Sequence, residues 1–157
     1  MMEFRVGFGF DSHEFTENKK LILGGVEIDF PYGLKGHSDG DALLHAITDA
    51  ILGAIGERDI GELFSDEDKR WRNAPSEIFL RKALELMREK GYELSNLDCT
   101  LIADSPKIAP YKDKIKENLS KLIGIDKSRI SIKGKRREGF CKEEGIVCMC
   151  TVLIYKA

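Results

Sequence analysis

The sequence predicts an α+β fold in which helices pack on one face of a mainly antiparallel or mixed sheet, built as a single domain over residues 1–157. Three observations predict it. Apolar residues alternate at the period of a strand near both ends of the chain, and they recur at helical spacing in three segments between. The elements follow the order strand, hairpin, two helices, strand, helix and two strands, which suits a sheet covered by helices. A length of 157 residues is that of one ordinary domain.

The strands are predicted from alternation and from turn residues. In the first strand, apolar side chains occupy every second position: Phe4, Val6, Phe8 and Phe10. The segment LILGGVEI places two short β-rich runs around Gly24-Gly25 and predicts a hairpin. LDCTLIA, RISIK and IVCMCTVLIY predict three further strands, whereas residues 31–37 and 58–75 are predicted to be loops.

Each helix is predicted from a start signal and a stop signal. Ser38 is predicted to cap the first helix, which continues to Gly56. Ser76 is predicted to cap the second helix, which ends at Gly91, and the third helix starts near Pro110. The inward stripe of the second helix is then Phe79, Leu80, Ala83, Leu84 and Met87.

The last strand is apolar on both faces. One face carries Val147, Met149, Thr151 and Leu153, and the other carries Ile146, Cys148, Cys150 and Ile154. A sheet that its own helices cover on one face, and that is apolar on the other, is typical of a subunit that packs on another subunit.

Charge and hydropathy argue against two classes of partner. The formal net charge is −2, whereas nucleic-acid-binding domains usually carry a basic excess, so no nucleic-acid partner is expected. Apolar runs are far shorter than the roughly 18 residues of a membrane span, so no membrane partner is expected. The N-terminus lacks a leader pattern, and the four cysteines, without a C-x-x-C pair, predict buried thiols in a reducing compartment. The predicted location is therefore the cytoplasm.

The chain has three histidines, all in its first third: His13, His37 and His45. Asp11 and His13 are two apart in a strand and share a face, and His45 lies on the first helix. Zinc accepts imidazole and carboxylate ligands, and a catalytic zinc keeps three protein ligands and one open position. Asp11, His13 and His45 therefore predict a zinc site if that helix packs across the end of the strand. Each residue alone would more often belong to a turn, a helix cap or a satisfied histidine.

Several segments together resemble one family, the 2-C-methyl-D-erythritol 2,4-cyclodiphosphate synthases of non-mevalonate isoprenoid biosynthesis. The segment GHSDGDALLHA packs two histidines and two aspartates around a helix start, a place that attracts phosphate. The other matching segments are RVGFGFDSH, LGGVEI, DIGELF, the SPK of IADSPKIAP, and EGI before the last strand. The resemblance covers almost the entire chain.

The resemblance implies a reaction and its metals. The substrate would be 4-diphosphocytidyl-2-C-methyl-D-erythritol 2-phosphate, whose 2-phosphate attacks the β-phosphate to give the cyclic diphosphate and CMP. Asp11, His13 and His45 would hold Zn²⁺ or another divalent metal at the same site. Glu138 would ligate Mg²⁺ or Mn²⁺ bound to the substrate diphosphate. The enzyme would be a phosphorus–oxygen lyase, and such a transfer depends mainly on positioning and charge neutralisation.

The resemblance also implies binding residues and an assembly. His37 and Ser38 would contact the methylerythritol phosphate, and Asp59 and Gly61 its hydroxyls. Asp41 and Asp49 would orient the metal ligands without binding the metal themselves. The cytosine and its phosphates would be held by five consecutive residues: Ala103, Asp104, Ser105, Pro106 and Lys107. The family forms homotrimers with active sites between subunits and an apolar tunnel, which can hold an isoprenoid diphosphate and which Phe10 would face.

The C-terminal binding segment departs from the family pattern. Arg136 and Arg137 replace a threonine pair before Glu138; arginine can bind phosphate bidentately, and the alternative is a solvated basic hairpin. The loop after Glu138 is shortened, and the arginine that the family usually has there is either replaced by Lys142 or missing. Two other functions remain as alternatives: a zinc-dependent phosphatase or nucleotidase, and a non-catalytic trimeric binder of phosphate or an isoprenoid diphosphate.

Overall fold

The computed structural model describes residues 1–141 and 144–157, and its elements follow the predicted order. The strands and helices are β1 (Glu3–Thr16), β2 (Leu21–Leu23), β3 (Val26–Ile28), β4 (Gly33–Leu34), α1 (Ala42–Ala54), α2 (Ile60–Leu63), α3 (Glu77–Glu89), β5 (Glu93–Ile102), α4 (Lys112–Ile123), β6 (Ile130–Lys135) and β7 (Gly145–Lys156). Three short 3₁₀ turns lie at Lys69–Trp71, Ala109–Tyr111 and Lys127–Arg129.

The main sheet has five strands in the order β4-β1-β7-β5-β6, and β2 pairs with β3 as a separate hairpin. β5 and β6 are parallel, and the other neighbouring strands are antiparallel. The predicted mixed sheet and α+β class are therefore confirmed. In the part of the chain that the structure describes, no helix is both long and apolar enough to cross a bilayer.

The two faces of the sheet have different surroundings. The four residues of β7 predicted for one face, Ile146, Cys148, Cys150 and Ile154, are all buried beneath the helices. On the opposite face the apolar side chains of β1 are exposed: Phe4 by 57%, Val6 by 67%, Phe8 by 60% and Phe10 by 51%. The chain on its own thus leaves one apolar sheet face uncovered, as the two-faced last strand predicted.

Two glycines of β1 bring the first helix into direct contact with the strand backbone. A Cβ atom on Gly7 would lie 1.8 Å from the Ala50 carbonyl oxygen, and one on Gly9 would lie 1.8 Å from that of Ala46. Only a strand without side chains at these positions can approach a helix this closely. Asp11 continues the same face of β1, because side chains alternate along a strand. The glycines therefore set the distance between Asp11 and α1.

Asp41, and not Ser38, caps the first helix. The Asp41 carboxylate is fully buried and accepts hydrogen bonds from Leu44 N (3.0 Å), Gly24 N (2.9 Å) and Gly25 N (2.7 Å). It therefore joins the helix start to the hairpin turn. Burial raises the pKa of Asp41 to about 6, against the opposing effect of these three donors. The Asp41 carboxylate therefore binds backbone N–H groups and contacts none of the three predicted metal ligands.

We expect Asp41→Asn to lower the free energy of unfolding by about 1–3 kcal/mol at pH 7, because an amide offers one oxygen to three buried N–H donors. Urea unfolding measures the loss. Asp126→Asn is the matched control, since the exposed Asp126 accepts from a single backbone donor, Ser128 N at 2.9 Å. Its loss should stay below about 1 kcal/mol. Equal losses in the two variants would contradict the role given to Asp41.

Three further local predictions were wrong. Residues 33–34, predicted as loop, form β4 at the sheet edge, pairing with Phe15 and Thr16. Residues 60–63, also predicted as loop, form the one-turn helix α2. Both elements are too short to show a period in the sequence. Cys141 was predicted to be buried and is exposed, unlike the other three cysteines.

Candidate active site

Asp11, His13 and His45 meet at the end of β1, as the spacing predicted. Oδ2 of Asp11 lies 2.8 Å from Nε2 of His13 and 3.1 Å from Nδ1 of His45. One ligand atom from each residue lies within 4.8 Å of the other two, and all three side chains are half-buried. β1 supplies the first two residues and α1 the third, so the close approach of helix to strand assembles the group.

The electrostatics of this group suit a cation. Burial alone would raise the pKa of Asp11, but hydrogen bonds from His13 and His45 outweigh it and hold that pKa below its usual value. The hydrogen bond to Asp11 raises the pKa of His13, and burial opposes it. One carboxylate and two imidazoles in a half-buried cleft are a ligand set that fits a divalent metal.

The cleft around the three residues encloses about 210 Å³. His37, Ser38 and Gly61, all predicted to contact substrate, line it beside the three ligands. An aromatic wall closes one side and consists of Phe64, Trp71 and Phe79; the Phe79 ring centroid lies 5.8 Å from that of His45. The cleft therefore offers polar groups, a candidate metal position and an apolar surface together.

Asp49 positions the loop that carries two predicted binding residues. Its Oδ1 accepts a hydrogen bond from Ile60 N at 2.8 Å, at the start of α2. Asp59 caps the same helix by accepting from Glu62 N at 2.9 Å, and Gly61 follows. Burial raises the pKa of Asp49, and the Ile60 N–H opposes this. Asp49 thus holds the 59–61 turn beside the cleft and makes no hydrogen bond to a predicted metal ligand.

A second cleft, of about 160 Å³, gathers most of the residues predicted to hold the nucleotide: Ala103, Asp104, Pro106, Lys107 and Arg136. Lys112 and Lys135 add further positive charge to it. This cleft and the one around Asp11 have no lining residue in common. The predicted site residues therefore fall into two separate groups on one chain.

The remaining predicted residues lie outside both clefts. Ser105, joined to Pro106 by a cis peptide bond, lines a third cleft together with Arg137. The Arg137 guanidinium donates to the carbonyl oxygens of Cys141 (3.1 Å) and Gly145 (2.8 Å), so it closes the loop between β6 and β7. Glu138 is exposed, with φ 53°, and Lys142 lies outside the described residues.

The sequence did not point to two residues beside His45. One contacts its imidazole directly, and the other contacts the first. Ser76, predicted only as a helix cap, lies with Oγ 2.7 Å from Nε2 of His45, and Asp39 bonds Ser76. Ser38 turns its hydroxyl inward as well, 3.1 Å from the same nitrogen. The two contacts of Ser76 span 31 and 37 residues of sequence, so no local pattern could have shown them.

A helix-covered mixed sheet with a carboxylate–imidazole cluster in a cleft of polar and aromatic residues defines an α+β protein with a candidate divalent-metal site. Residues 4–155 match the model of the YgbB family. The chain belongs to this family of 2-C-methyl-D-erythritol 2,4-cyclodiphosphate synthases, which are lyases of the non-mevalonate pathway of isoprenoid biosynthesis. The resemblance read from the sequence is confirmed.

Relatives of that name are similar over the full length. The enzyme of Aquifex aeolicus is 74% identical over 155 residues, which are 99% of each chain. That of a Hydrogenobaculum species is 55% identical over 153 residues, 98% of each chain. A solved structure of such a synthase in its CDP-bound form has a TM-score of 0.90 at 41% identity, covering 96% of this chain and 99% of that one.

Proposed function

We propose that this chain converts 4-diphosphocytidyl-2-C-methyl-D-erythritol 2-phosphate to the 2,4-cyclodiphosphate and CMP. The 2-phosphate oxygen forms a bond to the β-phosphorus, and the bond from that phosphorus to the oxygen bridging to CMP breaks. The observation that carries the proposal is the Asp11–His13–His45 group, which lines a cleft together with residues predicted to contact the substrate. The attacking atom belongs to the substrate, so the residues act by positioning and by neutralising charge.

In the first cleft, the three ligands would hold Zn²⁺, since carboxylate with two imidazoles is a common catalytic zinc set. A bound Zn²⁺ supplies Lewis acidity to a phosphate oxygen. His37 and Gly61 line the space where the methylerythritol phosphate would lie, and Asp59 belongs to the same turn as Gly61. Ser38 would contribute through its backbone, because its hydroxyl is turned toward His45. The aromatic wall would exclude water from the methyl side of the substrate.

In the second cleft, the 103–107 segment would hold the cytosine and its phosphates. Four positive side chains, Lys107, Lys112, Lys135 and Arg136, line this cleft, which matches a diphosphate. A relative of known structure binds CDP, which supports the same ligand class here. Arg136 would contact phosphate, and Glu138, exposed beyond it, would ligate Mg²⁺ or Mn²⁺ on the diphosphate. Arg137 would instead stabilise the loop between β6 and β7 through its hydrogen bonds to the Cys141 and Gly145 carbonyl oxygens.

We further propose a homotrimer whose active sites form between subunits. Two observations support it: most of the predicted site residues fall into two clefts that share no lining residue, and the apolar face of β1 is uncovered. Phe10 on that face would line the central tunnel, where an isoprenoid diphosphate would bind. The assignment of residues 1–157 to one domain and the cytoplasmic location stay predictions.

Phosphorus NMR of purified protein incubated with the cytidine-diphosphate substrate, Zn²⁺ and Mg²⁺ tests the reaction. The proposal predicts CMP and a cyclic diphosphate in equal amounts. Release of inorganic phosphate would favour a phosphatase or nucleotidase. Binding without turnover would favour a non-catalytic module.

We expect Arg136→Ala to raise the KM for the cytidine-diphosphate substrate by about 10- to 100-fold, the loss of one charge-assisted hydrogen bond to phosphate. Steady-state kinetics measures it. Arg129→Ala, an exposed arginine at the cleft between α3 and α4, is the control and should leave KM unchanged. An unchanged KM in Arg136→Ala would instead support the solvated basic hairpin.

A further inference from the structure

Ser76 occupies the N-cap position of α3, yet its hydroxyl makes no capping hydrogen bond to that helix. A serine at this position usually accepts from the second or third helical N–H. Here the residue is fully buried, with 0% of its surface exposed, and its Oγ lies 2.7 Å from Nε2 of His45. The hydroxyl is therefore directed away from its own helix and toward α1.

Asp39 fixes the other side of the Ser76 hydroxyl. Its Oδ2 accepts from Ser76 N at 3.0 Å, and its Oδ1 accepts from Asp41 N at 3.0 Å and also contacts Ser76 Oγ. An ionised carboxylate accepts hydrogen bonds and cannot donate one. The hydroxyl proton of Ser76 must then point to Asp39, and its lone pairs face His45.

Which atom carries each proton along the contacts from Asp39 through Ser76 to His45 follows from which groups can donate a hydrogen bond and which can only accept one. Because Ser76 Oγ gives its proton to Asp39, it accepts one from Nε2–H of His45. Nδ1 of His45 faces Asp11 Oδ2 at 3.1 Å, as its hydrogen-bond donor. A metal ligated by both residues would replace the proton on Nδ1, while the Nε2–H bond to Ser76 would keep Nε2 protonated.

We propose that Ser76 and Asp39 are positioning residues that hold His45 in the Nε2–H tautomer and so present Nδ1 to the metal. The inference deepens the metal site given under Proposed function and rests on it. Partners of this kind fix the orientation and tautomer of a ligating histidine, and losing one costs about 10- to 100-fold in metal affinity. Both residues would act through His45, since Ser76 contacts its Nε2 and Asp39 contacts Ser76.

Packing around His45 supports the same role. The imidazole lies between Asp11 of β1 and Ser76 of α3, and Phe79 of α3 approaches its ring. α3 thus contributes both the hydroxyl and an aromatic contact. The position of α3 relative to α1 then sets the rotation of the ligand ring.

The test measures Zn²⁺ affinity by chelator competition in wild type, Ser76→Ala, Ser76→Thr and Asp39→Asn. We expect Ser76→Ala to weaken Zn²⁺ about 10- to 100-fold and Ser76→Thr, which keeps the hydroxyl, to restore most of it. Asp39→Asn should weaken it similarly, because one amide oxygen cannot serve the donors that two carboxylate oxygens serve now. Ser128→Ala, an exposed serine beside β6, is the matched control and should bind as wild type.

Two further readouts separate positioning from a merely structural role. Nitrogen NMR of the zinc-loaded wild type should show His45 protonated at Nε2 and bound at Nδ1. Urea unfolding of each variant shows whether stability and affinity change together; reduced stability with wild-type Zn²⁺ affinity would overturn the inference while leaving the metal site intact. If Ser76→Ala fails to fold, the Zn²⁺ affinity of the near-isosteric Asp39→Asn variant tests the inference. Wild type that binds no Zn²⁺ would overturn the metal site and this inference with it.

Discussion

Asp11→Asn is expected to remove the bound metal and to lower kcat/KM by at least about 1000-fold, equal to about 4 kcal/mol of transition-state stabilisation. Asp11 is the only carboxylate in the three-residue cluster of candidate metal ligands, and its Oδ2 lies between the two imidazoles. An amide in its place is a poorer ligand and leaves two histidines without their common partner. Metal content after dialysis and steady-state kinetics measure the two effects.

Asp113→Asn is the matched control for this change, since Asp113 is exposed on the first turn of α4. It should keep both the metal and the activity. Asp11→Asn that retains one metal per chain with normal kcat/KM would contradict the assignment of this residue as a ligand.

Gly9→Ala is expected to lower the free energy of unfolding by about 3 kcal/mol or more, at the upper end of overpacking effects. The added Cβ would lie 1.8 Å from the Ala46 carbonyl oxygen, an atom of the helix backbone that cannot rotate away. The strand and α1 must then separate, and His45 moves away from Asp11. Urea unfolding gives the loss in stability, and the metal content should fall with it.

Gly53→Ala is expected to have the opposite effect on stability. Gly53 lies on α1, the helix that packs against Gly9. The nearest atom to a Cβ at Gly53 is 4.0 Å away, so alanine fits. Replacing a helical glycine by alanine should raise stability by about 0.5–1 kcal/mol. Equal effects of the two substitutions would show that the close approach of β1 to α1 does not hold the site together.

The strand period and the helix spacing were enough to predict the metal-ligand group. Asp11 and His13 share a strand face, and His45 follows on the first helix that the chain forms. In the sequence, Gly7 and Gly9 are only the residues that alternate with the apolar side chains of β1. Their role in packing shows only in the structure, where the backbone of α1 lies against them.

The capping of α1 shows where local signals mislead. Ser38 has the right side chain three residues before Asp41, but Asp41 is tied to the hairpin turn at Gly24 and Gly25, contacts 16 and 17 residues away. That tertiary partner moves the cap, and it frees Ser38 to turn toward His45. Ser76 and Asp39 were missed for the same reason, because their partner lies on another helix.

The division of the predicted binding residues into two clefts could not be read from the sequence either. Linear order places Lys107 and Arg136 far from His37 and Gly61, but it gives no distance between them. The structure puts them in different clefts of one chain. Assembly of the complete site between subunits remains the proposal that size measurement of the protein in solution can test.

The most direct test of the central claim is the origin of the oxygen that attacks the β-phosphorus. Turnover in water enriched in ¹⁸O, followed by phosphorus NMR, separates the two routes, because ¹⁸O bound to phosphorus shifts its signal. Attack by the substrate's own 2-phosphate predicts a cyclic diphosphate and CMP that carry no ¹⁸O. Incorporation of one ¹⁸O into a phosphate product would mean that water is the nucleophile, and the chain would then be a hydrolase.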